Sequence, residues 1–95
     1  MRIRYTHEAI HDLEQLREFI EVKNPVAAQR VAREILLGIE KLKVFFNLCL
    51  QVMMAPQPEL VRDLFIGNYT VRYMITKDEL LILRLWHDKE IEKDL

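Results

Sequence analysis

The stretch "LVRDLFIGNYTVRYMITKDELLILRLWH", residues 60–87, decides the fold. Tyr69, Val71, Tyr73 and Ile75 alternate with Thr70, Arg72, Met74 and Thr76, so one set lines each face of an extended strand. Gly67–Asn68 separates that strand from "LVRDLFI", and this pair suits a tight turn between antiparallel strands. A second turn at Lys77–Asp78–Glu79 leads into "LLILRLWH". The run "LLIL" is apolar on both faces, which fits a strand with neighbours on either side. Three strands in a meander are therefore predicted.

Upstream the period changes. "RIRY", residues 2–5, reads as a short opening strand with Ile3 and Tyr5 on one face and Arg2 and Arg4 on the other. Thr6 can cap a helix whose first turn carries Glu8. Ala9, Ile10, Leu13, Leu16, Phe19 and Ile20 then recur at spacings of three and four, an amphipathic helix. Asn24–Pro25 ends it and starts another, because Asn caps well and Pro suits the first helical position. The second helix runs to about Val44, with Ala28, Val31, Ala32, Ile35, Ile39 and Leu42 on one stripe. So short a link makes the pair an antiparallel hairpin. Residues 45–60 show no clear period, and Pro56 and Pro58 exclude a regular helix there.

The order is thus β-α-α-β-β-β. The simplest assembly is an α+β domain with the helical hairpin on one face of a small, mainly antiparallel sheet. With 95 residues, a single domain over 1–95 is expected. The opposite sheet face would then present Arg72, Arg84 and Arg62.

Fourteen basic and fifteen acidic residues leave a net charge of −1, without the excess that phosphate neutralisation requires of a dedicated nucleic-acid binder. A near-neutral chain also predicts a partner contact resting on apolar burial more than on charge. Cys49 is the single cysteine, set in apolar "FNLCLQV", and has no internal disulfide partner. No segment has the apolar length of a signal peptide or membrane span, which makes the cytoplasm the expected address. No cofactor is implied. His7 and His11 lie four apart on the first helix, but no third metal ligand accompanies them, and no metal is expected.

Two words in this order, "RYTHEAIHDLEQLREFIEVKNPVAAQRVAREI" (4–35) and "VRDLFIGNYTVRYMITKDELLILRLWH" (61–87), resemble the RelE/ParE toxins of bacterial toxin–antitoxin modules. The similarity spans residues 2–89 and is closest to the ParE, or plasmid-stabilisation, branch. It implies a small cytoplasmic toxin silenced by an antitoxin whose C-terminal segment wraps around it. The ribosome-dependent members cut mRNA with basic and acid–base side chains on the open sheet face. ParE members are similar in fold but are associated with poisoning DNA gyrase.

The chain departs from the cleaving pattern. That pattern sets alternating lysines on the strand before the hairpin, where Arg62 and Leu64 stand, and an arginine at the position of Thr70. Its late arginine or aromatic residue is replaced by Lys89, Glu90 and Ile91. Cutting RNA through the 2′-hydroxyl needs a base, an acid and cations at the phosphate, so too much is missing. The ParE-like "FPNLGR" is also changed, with Cys49–Leu50 in place of Gly–Arg.

The resemblance therefore implies a toxin that binds a target, with gyrase a candidate. A RelE-type mRNA interferase and a non-toxic homologue serving as a binding module are the alternatives. Arg62, Arg72, Arg84, His87, Lys89, Met53 and Met54 are the expected partner-binding residues, with the antitoxin's acids neutralising the three arginines. Under the interferase alternative, whose partners are ribosome and mRNA, His87, Arg62 and Arg84 would be catalytic. His87 is otherwise a strand-end histidine bonded to backbone, and Trp86 a core or rim residue.

Overall fold

Thr6 and Asn24 divide the first half of the chain at the predicted points. The Thr6 hydroxyl accepts from the Ala9 N–H at 3.0 Å, and the Asn24 side chain accepts from the Ala27 N–H at 3.1 Å. Each cap satisfies a donor that the first helical turn leaves without a partner. A computed structural model describes residues 2–47, 49–53, 55, 57 and 60–89. Its elements are β1 (Arg2–Tyr5), α1 (His7–Lys23), α2 (Pro25–Phe45), β2 (Leu50–Gln51), β3 (Val61–Ile66), β4 (Tyr69–Ile75) and β5 (Glu79–His87).

The sheet order is β1-β5-β4-β3-β2. Among the described residues only β1 and β5 pair in parallel, and the remaining pairs are antiparallel. The predicted α+β layering holds, with one addition. The aperiodic stretch after α2 contributes β2, two residues paired with Arg62 and Asp63 of β3. A strand of two residues has no detectable alternation, so its period could not be read.

Ile35, Ile39 and Leu42 of α2 and Ala9 of α1 meet Val71, Tyr73, Leu80, Ile82 and Leu85 in one buried core. Each fully buried aliphatic side chain contributes roughly 1.5–3 kcal/mol. The stripe predicted for α1 needs correction. Ile10 and Phe19 point outward and are exposed, because only Ala9, Leu13 and Leu16 lie close enough to the sheet to join the core. Gly38 lets α2 approach the sheet, since a β-carbon there would lie 2.5 Å from Ile66 Cδ1. Gly67 adopts φ +57° in the β3–β4 turn, a left-handed geometry that glycine takes without strain.

Tyr73 is fully buried, and its hydroxyl donates to the Phe46 carbonyl at 2.6 Å, tying β4 to the end of α2. Burial, reinforced by the neighbouring Cys49 thiol, pushes the phenol far above its ordinary value.

Two outcomes follow for stability. Urea denaturation of Ile39→Ala should show a loss of about 2–5 kcal/mol, against about 0.5 kcal/mol or less for Val22→Ala, whose parent residue is 88% exposed. The Tyr73 phenol is held neutral in the folded state, so its contribution is complete below the unfolded pKa of about 10 and declines as pH rises above it. Thermal melts at rising pH should therefore fall more steeply for wild type above pH ~10 than for Tyr73→Phe.

Candidate partner-binding site

β1 stops at Tyr5, and from that point α1 takes over the edge of β5. The handover is made by a bulge: Arg72 pairs with Arg84 and Tyr73 with Ile82, leaving Leu83 as the extra residue. The Thr6 N–H donates to the Ile82 carbonyl at 3.0 Å and the Thr6 hydroxyl to the Leu83 carbonyl at 2.8 Å. Six residues on, Asp12, 3% exposed, accepts from the Leu85 N–H at 3.1 Å. It also accepts a forked pair from Arg84, Nε to Oδ2 at 2.8 Å and Nη2 to Oδ1 at 3.0 Å. A backbone donor at the sheet edge and a side-chain cation are thus satisfied by one carboxylate.

Arg72 lies on the sheet face away from the helices, as predicted, yet it is only 5% exposed. Its Nε and Nη2 donate to Asp63 Oδ1 and Oδ2 at 2.8 and 2.9 Å, across the β3–β4 pair. Trp86 covers it, with the guanidinium carbon 5.1 Å from the ring centroid, a cation–π arrangement. The neighbouring Thr70 hydroxyl donates to Asp88 at 2.7 Å. Arg62 faces the other way, toward the helices, where Nη1 donates to the Asn47 and Cys49 carbonyls, each at 3.0 Å.

The expectation that Arg62, Arg72 and Arg84 form one exposed cationic face is therefore corrected. Alternation along β3 sends Arg62 to the helix side, Arg84 is drawn over the strand edge by Asp12, and Arg72 is neutralised by Asp63. The structure does not bring His87, Arg62 and Arg84 into one pocket. Trp86 is buried, as a core residue. His7 and His11 are exposed, and among the described residues no group of three or more His, Cys, Asp or Glu could hold a metal ion.

What the structure does form is a groove of about 890 Å³ between α1 and the far end of β5. Leu16, Phe19, Ile20 and Val22 make one wall, and Tyr69, Leu85, Trp86 and His87 the other. His87 Nδ1 accepts from the Lys89 N–H at 3.0 Å, which leaves the proton of the neutral ring on Nε2. Its ring meets Tyr69 edge-on at 5.0 Å. Burial, followed by the charge of Glu34, raises the Tyr69 phenol above its ordinary value, so it stays neutral at physiological pH. The groove is thus mostly apolar, with Asp12, Gln15 and Glu18 on its helix side and a histidine, a lysine and a phenol at its strand end. Of the expected partner-binding residues, His87 and Lys89 line this groove. Met53 is exposed elsewhere, and Met54 lies outside the described residues.

The sequence pattern allows the arginines an acidic partner across strands without naming it, although one of the two acids is legible. Counting back from the Gly67–Asn68 turn sets Asp63 opposite Arg72. Asp12 gave a weaker signal, an acid three residues after inward-facing Ala9.

A family model described as the ParE toxin of the type II toxin–antitoxin system, parDE, matches residues 3–92. The chain belongs to the ParE toxin family. A solved structure titled "Chromosomal ParDE TA system from P. aeruginosa" superposes with a TM-score of 0.76 at 21% identity. The match covers 92% of this chain and 95% of that one, so the ParE-like fold is shared throughout. A comparison with the curated proteins finds no match. No described helix is long and apolar enough to cross a membrane.

The Asp12–Arg84 pair makes a sharp test within this ParE-family chain. Asp12→Ala strands a guanidinium and an edge N–H, and chemical denaturation should register a loss of about 3–5 kcal/mol. The double variant Asp12→Leu/Arg84→Leu should lose clearly less than the sum of its single variants.

Proposed function

We propose that this ParE-family toxin acts in the cytoplasm by binding a protein target, with DNA gyrase the first to test, and that a cognate antitoxin silences it. The observation that carries this reading is the internal neutralisation of the sheet arginines. RNA cleavage needs cations directed at a phosphate and groups to move protons. Here Asp63 takes the fork of Arg72, Asp12 takes that of Arg84, and His87 stands at the strand end with its Nδ1 engaged by backbone.

Binding, by contrast, is well served. The groove beside α1 offers Leu16, Phe19 and Ile20 against Tyr69 and Trp86, a surface for an apolar stripe of a partner helix. Its size is that of a site able to enclose several side chains. The solved neighbour's title names a toxin–antitoxin system, which supports an antitoxin as one such partner. Lys89 and His87 at the strand end suit an acid on that partner.

Three measurements separate the readings. Inducing the chain without an antitoxin should arrest growth, and normal growth at good expression would favour the non-toxic binding module. Purified protein should inhibit supercoiling by gyrase while leaving translated messages intact in toeprints. Codon-level breaks abolished by His87→Ala would instead establish the interferase. For the groove itself, Phe19→Asp should weaken antitoxin binding at least about tenfold in calorimetry, with the folded state changed by about 0.5 kcal/mol or less because Phe19 is exposed.

A further inference from the structure

The sheet has two edges, and they are not equivalent. β2 offers only Leu50 and Gln51, whereas β1 offers four residues. In β1 the Arg2 N–H donates to the Asp78 carbonyl and the Thr6 N–H to the Ile82 carbonyl, at 3.4 and 3.0 Å. Backbone groups alternate in direction along an extended strand. The N–H and C=O of Ile3 and Tyr5 therefore point away from β5, along the outer edge.

Side chains alternate too. Ile3 and Tyr5 pack against the core, while Arg2 and Arg4 stand on the other face, their side chains 79% and 62% exposed. Both reach the same acid: Arg2 Nη2 to Glu79 Oε2 at 3.2 Å and Arg4 Nη1 to Glu79 Oε1 at 3.3 Å. One carboxylate shared by two guanidiniums leaves a positive surplus, and each guanidinium gives Glu79 one of its five N–H donors. Exposed pairs of this kind are weak, so a second acid joins them at little cost. Arg2 and Arg4 sit about 6.6 Å apart along the strand, the repeat of alternate residues in a neighbouring strand.

We infer that the outer edge of β1 is a docking strand for an extended acidic segment of a polypeptide partner. The segment adds as a sixth strand, bonding the backbone of Ile3 and Tyr5, and sets carboxylates two residues apart over Arg2 and Arg4. Both features are needed. The cations alone would suit any anion, nucleic acid included, but the outward N–H and C=O groups match only another polypeptide backbone. The same cations oppose pairing between β1 strands of two copies, since like charges would face each other. The edge thus rejects its own kind and accepts acids. This inference is independent of the antitoxin and target proposed above.

The probe is a fluorescein-labelled peptide, Pro-Thr-Val-Glu-Val-Glu-Val-Thr-Pro, titrated into the full chain at low salt. Anisotropy should report binding, and hydrogen exchange should show the Ile3 and Tyr5 amides protected by the peptide. Arg2→Gln/Arg4→Gln should weaken binding by about tenfold, the loss of two cross-strand charge pairs. A peptide with Lys at both Glu positions should not bind, a comparison that stands even if the double variant folds poorly. Equal binding of the Lys peptide, or Ile3 and Tyr5 amides that exchange as fast with peptide as without, would overturn the inference. So would a short oligothymidylate that displaces the peptide and binds more tightly, since the patch would then be a nucleic-acid contact.

Discussion

The carboxylate of Asp12 is the contact on which the arrangement depends. β1 covers only the first half of β5, and beyond Ile82 the strand would present bare backbone to whatever lies beside it. α1 closes that gap because one of its buried side chains accepts both from the Leu85 N–H and from the Arg84 fork. A carboxylate so buried is tolerable only with hydrogen-bond donors around it, and this one accepts from Arg84 Nε and Nη2 and from the Leu85 N–H. Its demand for those donors fixes the position of α1 relative to β5. That position in turn sets the width of the groove lined by Leu16 and Phe19 on one side and by Trp86 on the other.

The same logic, repeated at Asp63, explains the chemistry of the sheet. Arg72 and Arg84 are each held in bidentate pairs, and Arg72 is further capped by Trp86. Burying such pairs contributes little net stability compared with apolar residues of similar volume, because desolvation offsets the attraction. Their effect is on geometry. Arg72 to Asp63 locks the register of β3 on β4, and Arg84 to Asp12 locks a helix on a strand. A guanidinium held at both nitrogens by a carboxylate is a poor candidate for gripping a scissile phosphate. The charges of this sheet thus serve its own packing.

Much of this was legible in the sequence. The alternation in 69–76, the turn at Gly67–Asn68 and the caps at Thr6 and Asn24 each rest on local physics, and each is where it was expected. The face on which Arg2 and Arg4 stand followed from the same alternation. What failed was tertiary. A bulge at Leu83 shifts the register of β5, and no local signal in "LLILRLWH" announces it. The outward turn of Phe19 depends on where α1 leaves the sheet, which periodicity does not reveal. Alternation places Arg84 on the sheet face, and its partner, 72 positions away in sequence, leaves no local sign. An acid paired across strands with Arg72 is an expectation the alternation allows, and a count across the hairpin names it as Asp63.

The two edges of β5 and β1 show how one sheet can be closed and open at once. Along β5 past the bulge, the Leu85 N–H is capped by Asp12 and the cation beside it is neutralised. Along β1 the outward backbone groups of Ile3 and Tyr5 lie beside two exposed arginines that share a single acid. Edge strands left in this condition invite association unless something discriminates among the partners. Charge is the discriminator available, and at β1 its sign is positive on a chain whose net charge is −1. Arg72 and Arg84 are held by Asp63 and Asp12, so along the outer edge of β1 the charges that meet an incoming strand are those of Arg2 and Arg4.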